Sequence, residues 1–416
     1  MRRRDFLLKT TAAAAIAELP VGLPALAQQQ KTVTLWHIYN NESDMIHLGI
    51  KKFNAAQNGY QIEQRLVPYT QINPELVRAI ATGSPPDLVV INDPDLASYA
   101  SQGQFTDLTD RVAASKVIDE SKYFKGPQTS DHWKGRRYSV AREVNTLALY
   151  YNADMFRAKG LDPDKPPTTW KEVTAAAEKL TDPGKRVFGL GFCAAQSEQS
   201  TFQWLPFLWQ AGGSIDKLDQ PEAAEALEFW ADLVRRQLTS RDVINQPQAE
   251  VINTFLAGGS AMAVGGPWEL PRFGTEAKFE WRVAMLPVKD DRNIHASSLG
   301  GFHFAIPKGA KEADGAFRVI ETMSDPALFR EGWNFGGLLA PRSDIEIADP
   351  AWPKAYAVFR EQMKTAIQRG PHPQWSLLSR PIQTAIQEAL TGTKPAAQAL
   401  KEAAAKIQPI LAKTPL

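Results

Sequence analysis

The sequence predicts an α/β protein built on parallel sheet, and three observations carry that expectation. Between residues 33 and 92 apolar strand patterns alternate with helix patterns in a βαβαβ order. Parallel strands need crossovers of that kind, and the crossovers are right-handed. The chain has 416 residues, of which 44% are hydrophobic, enough for two domains with their own cores. No internal repeat or long low-complexity linker interrupts it.

The first 27 residues stand apart from that pattern. They start with Arg2, Arg3 and Arg4, turn apolar, and close on Ala25-Leu26-Ala27, a small-x-small cleavage site. This is expected to be an export signal cleaved after Ala27, and Arg3-Arg4-Asp5-Phe6-Leu7 has the twin-arginine form. The segment holds four basic and two acidic side chains; with a whole-chain net charge of +1, the remainder carries about −1. Such a near-neutral surface suits neither nucleic acid nor an anionic membrane. The single Cys193 excludes an internal disulfide. A location in the bacterial periplasm is expected.

The elements follow in order. A strand at 33–38 runs into a helix at 44–57, where Ile46, Ile50 and Phe53 repeat at helical spacing and Asn58-Gly59 stops it. A strand at 61–67 precedes a helix at 74–82 with Pro74 in its first turn. Pro85-Pro86 then leads to an apolar strand ending at Asn92-Asp93. Residues 138–156 read as a strand pair entering a helix that Gly160 ends, and Thr169-x-x-Glu172 is a capping box. Strands are expected at 187–192, 261–264, 281–286 and in "LGGFHFAIPKGA", with helices between them. The remainder reads as helices at 312–334, 351–368, 379–391 and 395–411.

Enzyme signatures are weak. The six histidines (37, 47, 132, 295, 303, 372) form no metal-ligand spacing. Gly189-x-Gly191-x-x-Ala194 lacks the third glycine of a dinucleotide loop and does not follow the first strand. Neither a Walker loop nor a G-x-S-x-G elbow occurs. A glycosidase-type carboxylate pair stays open.

"YYNADMF", "PPTTWKEVTAAAEKL", "FLAGGSAMAVGGPWEL", "LGGFHFAIPKGAKEADGAFRVIETM" and "GGLLAPRSD" occur in this order, with "TGTKPAAQALKEAAAKI" at the end. Together with the first 100 residues this ordered set resembles the extracellular solute-binding proteins, family 1, of ABC importers, the maltose-binding-like proteins. The resemblance implies a two-lobe clamp of α/β lobes. One lobe would hold 28–140 and 300–339, the other 141–299 and 340–416, joined by hinge crossings. Ligand would sit between the lobes, hinge closure would bury it, and the permease and ATPase of the importer would be the partners. The protein would act as a monomer, with no cofactor or metal, and not as an enzyme.

In such lobes the first and third strands are neighbours, a topological switch point. Tyr39, Asn40, Asn92 and Asp93 at their ends would therefore face the cleft. A carbohydrate offers hydroxyls and apolar C–H faces, so its site needs polar side chains and flat aromatic ones. Trp268 after Gly265-Gly266-Pro267 and Trp204 on the aromatic helix are candidates; Trp36 inside a strand reads as core. Tyr69 lies in a loop where the family often places a ligand contact. Arg142 and Asn145 beside the hinge contact ligand or form a strand-edge salt bridge with Glu143. Gly301 with Gly300 admits a close ligand or makes a bulge. Arg342 binds a ligand oxygen or braces the second crossing. The expected ligand is a neutral sugar or polyol. The alternatives are a phosphorylated polyol such as glycerol-3-phosphate, with Arg142 and Arg342 as its cations, and a secreted carbohydrate-active enzyme.

Overall fold

A computed structural model describes residues 30–39, 44–56, 59–347 and 351–416. The expected export signal and the candidate Asn40 lie outside the described residues. The strands are β1 (Lys31–His37), β2 (Tyr60–Leu66), β3 (Leu88–Asn92), β4 (His132–Trp133), β5 (Arg136–Arg137), β6 (Ser139–Asn145), β7 (Ala148–Asn152), β8 (Phe188–Gly191), β9 (Ser260–Gly265), β10 (Trp281–Ala284), β11 (Ser297–Ala305) and β12 (Ala366–Gln368).

They form two main sheets. The first has the order β12-β11-β3-β1-β2, with β6 also paired to β11; the second has the order β10-β7-β9-β8. β1 lies parallel to both β2 and β3, with Leu35 opposite Leu88, as the βαβαβ pattern predicts. β3 is buried along its whole length, which explains its unbroken apolar sequence. Helices cover both sheets. Met45–Ala55 begins at Asp44, whose carboxylate accepts the Ile46 N–H at 2.8 Å, and it buries Ile46, Ile50 and Phe53. Trp170–Leu180 opens with the Thr169/Glu172 capping box, both reciprocal bonds being present. Gly160 follows Ala153–Ala158 at φ +69°, a conformation that a side chain would strain.

The structure departs from the sequence reading at three places. The single helix expected at 312–334 is two, Ala313–Met323 and Pro326–Gly336. Pro326 cannot continue a helix but suits its first turn, and Asp325 caps the new start. The helix expected at 351–368 ends with Pro353–Met363, after which β12 adds to β11. β6 stays in the first sheet through Asn145, so the chain passes to the second sheet at 146–147, beyond the 140/141 boundary expected from the sequence.

Candidate functional site

The parallel pairing of β1 with β3 brings their carboxyl ends side by side, and the chain beyond them opens on a cleft of ≈ 750 Å³. That volume is within the range of small-ligand sites. From the first sheet, Tyr39, Tyr69 and Asn92 line it, and Asn92 Nδ2 donates to the Tyr69 hydroxyl at 3.2 Å. Phe302 on β11 meets both tyrosine rings edge-on, at 6.0 Å from Tyr39 and 6.1 Å from Tyr69.

Where β6 ends alongside β11, Glu143, Asn145, Gly300 and Gly301 form the back of the cleft. A Cβ on Gly300 would lie 2.3 Å from Asn145 Oδ1, and one on Gly301 2.5 Å from the Glu143 carbonyl oxygen. The two glycines therefore permit the close approach of these strands. The Tyr39 hydroxyl donates to Glu143 at 2.8 Å, and Arg142 lies over the Tyr39 ring at 3.9 Å while pairing with both Asp44 and Glu143. Burial pushes the Glu143 carboxyl above its ordinary pKa despite the guanidinium beside it.

The opposite wall comes from elements around the second sheet. Helix Glu198–Gln210 presents Gln199 and Phe202, and helix Gln248–Leu256 presents Gln248 and Asn253. The turn after β9 presents Trp268 and Glu269, followed by Arg272 on helix Leu270–Glu276. Gly266 has to be glycine here, because a Cβ would fall 1.9 Å from the Trp268 ring. Trp268 stays half-buried, its ring centroid 6.4 Å from that of Phe202. Burial pushes the Glu269 carboxyl up to about 7, although Arg272, 3.3 Å away and also bound to Glu276 and Asn253, pulls it down. Among the described residues no group of three His, Cys, Asp or Glu side chains is placed to hold a metal ion. Cys193 is buried, and burial raises its thiol to about 12.

A cleft walled by two sheets agrees with the family relation. The family model of bacterial extracellular solute-binding proteins matches residues 50–361. The chain belongs to this family. Among solved structures, this solute-binding protein is similar to an ABC transporter solute-binding protein of Thermotoga lettingae bound with α-D-tagatose. The two share 26% identity, over 92% of this chain and 100% of that one, at a TM-score of 0.83. It is also similar to the maltose-bound MalE3 of T. maritima, with 22% identity over 91% and 100% of the two chains and a TM-score of 0.83. Curated relatives include a putative binding protein of Brucella abortus (strain 2308), 24% identical over 87% of this chain and 89% of the relative. Another is the sn-glycerol-3-phosphate-binding periplasmic protein UgpB of Escherichia coli, 25% identical over 83% and 80%. These neighbours have the two-lobe fold, and this solute-binding protein shares it.

Of the candidates read from the sequence, the structure brings Tyr39, Tyr69, Asn92, Asn145, Trp268 and Gly301 together in the cleft. It places four elsewhere. Trp204 is 0% exposed in the core over the second sheet, because its helix is buried on nearly every side. Asp93 turns inward to His303, 3.3 Å away, which also binds Asp131 at 2.7 Å. Arg142 is 1% exposed and stands behind Tyr39, its charge taken up by Asp44 and Glu143. Arg342 braces the chain, bonding Asp344, the Val117 carbonyl and the Ser324 carbonyl. Trp36, expected in the core, is half-buried with Arg65 over its ring at 4.5 Å.

Sequence reading missed Arg369, Phe202 and Glu269. Arg369 follows β12, lies over the Phe202 ring at 4.5 Å and pairs with Glu198 at 2.5 Å. It is 3% exposed, yet its Nε has no hydrogen-bond partner among the described residues. No local pattern marks it. Glu269 was within reach, since it follows the flagged Trp268 in "GGPWE".

Proposed function

We propose that this protein is the periplasmic binding component of an ABC importer that captures a neutral carbohydrate or polyol and hands it to the membrane permease. One observation carries the reading. Aromatic rings stand on both sides of one cleft, Tyr39, Tyr69 and Phe302 facing Phe202 and Trp268, with amides and carboxylates between them. Flat apolar faces interleaved with donors and acceptors match the alternation of C–H faces and hydroxyls on a sugar. The tagatose and maltose ligands of the structural neighbours support it.

In this reading one lobe comprises 30–145 with 298–347 and the other 147–296 with 351–416, apart from β12, which stays in the first sheet. The ligand touches Tyr39, Tyr69, Asn92 and Asn145 from one side and Trp268 from the other. Asn40 belongs to the same proposal. The chain reaches the periplasm by cleavage after Ala27. Calorimetry against a library of sugars and polyols tests the reading: a binder is expected, with no change in the sugar. Turnover of a glycoside would replace it with a carbohydrate-active enzyme.

A second reading is a phosphorylated polyol. Arg369, which lines the cleft and whose buried Nε has no hydrogen-bond partner among the described residues, favours it, as does the likeness to the E. coli glycerol-3-phosphate-binding protein. Against it, the cations first expected to hold a phosphate, Arg142 and Arg342, are committed elsewhere. Including glycerol-3-phosphate in the library decides between the two.

A further inference from the structure

A second cavity of ≈ 550 Å³ adjoins the cleft and shares Asn253, Arg272 and Glu276 with it. Both lie along the groove between helices Gln248–Leu256 and Leu270–Glu276. The cleft takes the amino end of the first helix, with Gln248 and Ala249 in its wall, and runs along the second from Pro271 to Glu276. The second cavity takes the carboxyl end of the first helix, with Leu256 and Ala257 in its wall, and meets the cleft at Arg272 and Glu276 of the second. At 1.5 Å per residue the longer helix spans about 13 Å, so the two spaces follow one another in a line. Arg272 forms the saddle between them. Its Nη2 reaches across the groove to Asn253 Oδ1 at 2.6 Å, and its Nε is held by Glu276 at 3.0 Å.

The far end has the chemistry of a sugar subsite. Lys278 supplies a polar group, the buried Asn152 lies at the base with its Oδ1 accepting the Met155 N–H at 2.9 Å, and Met155 and Phe279 supply apolar surface. Mixed linings of this kind orient a ligand by a few polar groups on an apolar wall. We propose that the second cavity is a distal subsite, and that the ligand is an extended carbohydrate of two or more units lying over the Arg272 saddle. The oxygens facing Lys278 and Arg272 belong to neutral hydroxyls or to a uronate carboxylate. The inference rests on the carbohydrate reading of the cleft and narrows it.

Native mass spectrometry of the purified protein tests it. The probes are partial hydrolysates of neutral polysaccharides (starch, xylan, mannan) and of acidic pectin, each a ladder of one to six units. Species of two or more units should be retained, and the neutral and acidic ladders identify the distal group. Ala257→Trp, at an exposed position in the wall of the second cavity, should weaken the longer species at least tenfold while single units bind as before. A melting temperature close to that of the parent shows that the variant is folded. Single units retained as tightly as longer ones, or an Ala257→Trp variant that holds the longest species unchanged, would overturn the distal subsite and leave the carbohydrate reading intact. Retention of nothing from any ladder would remove the carbohydrate reading, and this inference with it.

Discussion

The Tyr39 hydroxyl donates to both carboxylate oxygens of Glu143, at 3.0 and 2.8 Å, and so ties the end of β1 to the strand that carries the chain out of the first sheet. The ligand wall and the crossing are thus one hydrogen-bonded unit, with Arg142 packed behind it. A hydrogen bond to a charged group contributes about 1.5–3 kcal/mol, and removing one member of a buried ion pair costs about 3–5 kcal/mol. Tyr39→Phe should therefore lower unfolding free energy by about 2 kcal/mol, and Arg142→Ala by more. Urea titration of both variants checks the order; equal losses would mean that Arg142 does not organise the cluster.

Trp268→Ala should leave the protein folded and weaken ligand binding by about 2 kcal/mol or more, the cost typical of a buried aromatic anchor. Its ring is half-buried in the cleft wall and packs on the margin of two hydrophobic cores without being part of the fully buried set. Trp204→Ala should do the reverse. Emptying a core site of that size costs about 3–5 kcal/mol of stability. Calorimetry and thermal melts on the pair separate the roles.

His303 should give the protein an alkaline stability limit. Burial lowers the pKa of this imidazole, but the Asp131 and Asp93 carboxylates more than reverse the effect and raise it to about 9. Burial likewise opposes charge on Asp131, yet Arg137 and His303 hold its pKa below the usual carboxylate value. The folded His303 pKa exceeds the unfolded value of about 6.5. Its contribution is then complete below that pH and is lost as pH rises through about 9. Unfolding free energy measured from pH 6 to pH 10 should fall by about 3 kcal/mol from this group at most. His303→Gln should flatten the fall; an unchanged slope would assign it to another group.

Ligand should shift the protein toward a form with the two lobes closer together, since a molecule touching Tyr39 and Trp268 gains both contacts only when the walls approach. Small-angle scattering with the carbohydrate found by calorimetry should show a smaller radius of gyration. The same radius at saturation would count against closure.

Local signals carried most of the fold. The Thr169/Glu172 box and the Asn92-Asp93 strand end were readable because their partners lie within a few residues or follow from strand order. Pro326 was overlooked because the apolar period runs through it, although a proline suits a helix start better than its interior. β12 has three residues and pairs with Ser297–Leu299, so nothing near it in sequence announces a strand. The cleft was half legible. Trp268 was legible because glycines around it mark a turn, whereas Trp204 was not, because polar residues such as Gln203 and Gln210 share its helix yet are buried with it. Arg369 was illegible because its partner Glu198 lies 171 positions away.

β11 sits inside the first sheet, between β3 and β12 and also paired with β6. Its His303 pairs with Ile91, about 200 positions earlier in the chain. Every strand of the second sheet precedes Ser297. As the ribosome delivers the chain, the sheet whose residues begin first is therefore the one completed last. Closing so long a loop is entropically slow, and it exposes the open edge of β3 in the meantime. A nascent chain halted before Ser297 would hold one sheet with all its strands and another lacking both β11 and β12, so the two sheets are completed in the reverse of the order in which their first strands emerge.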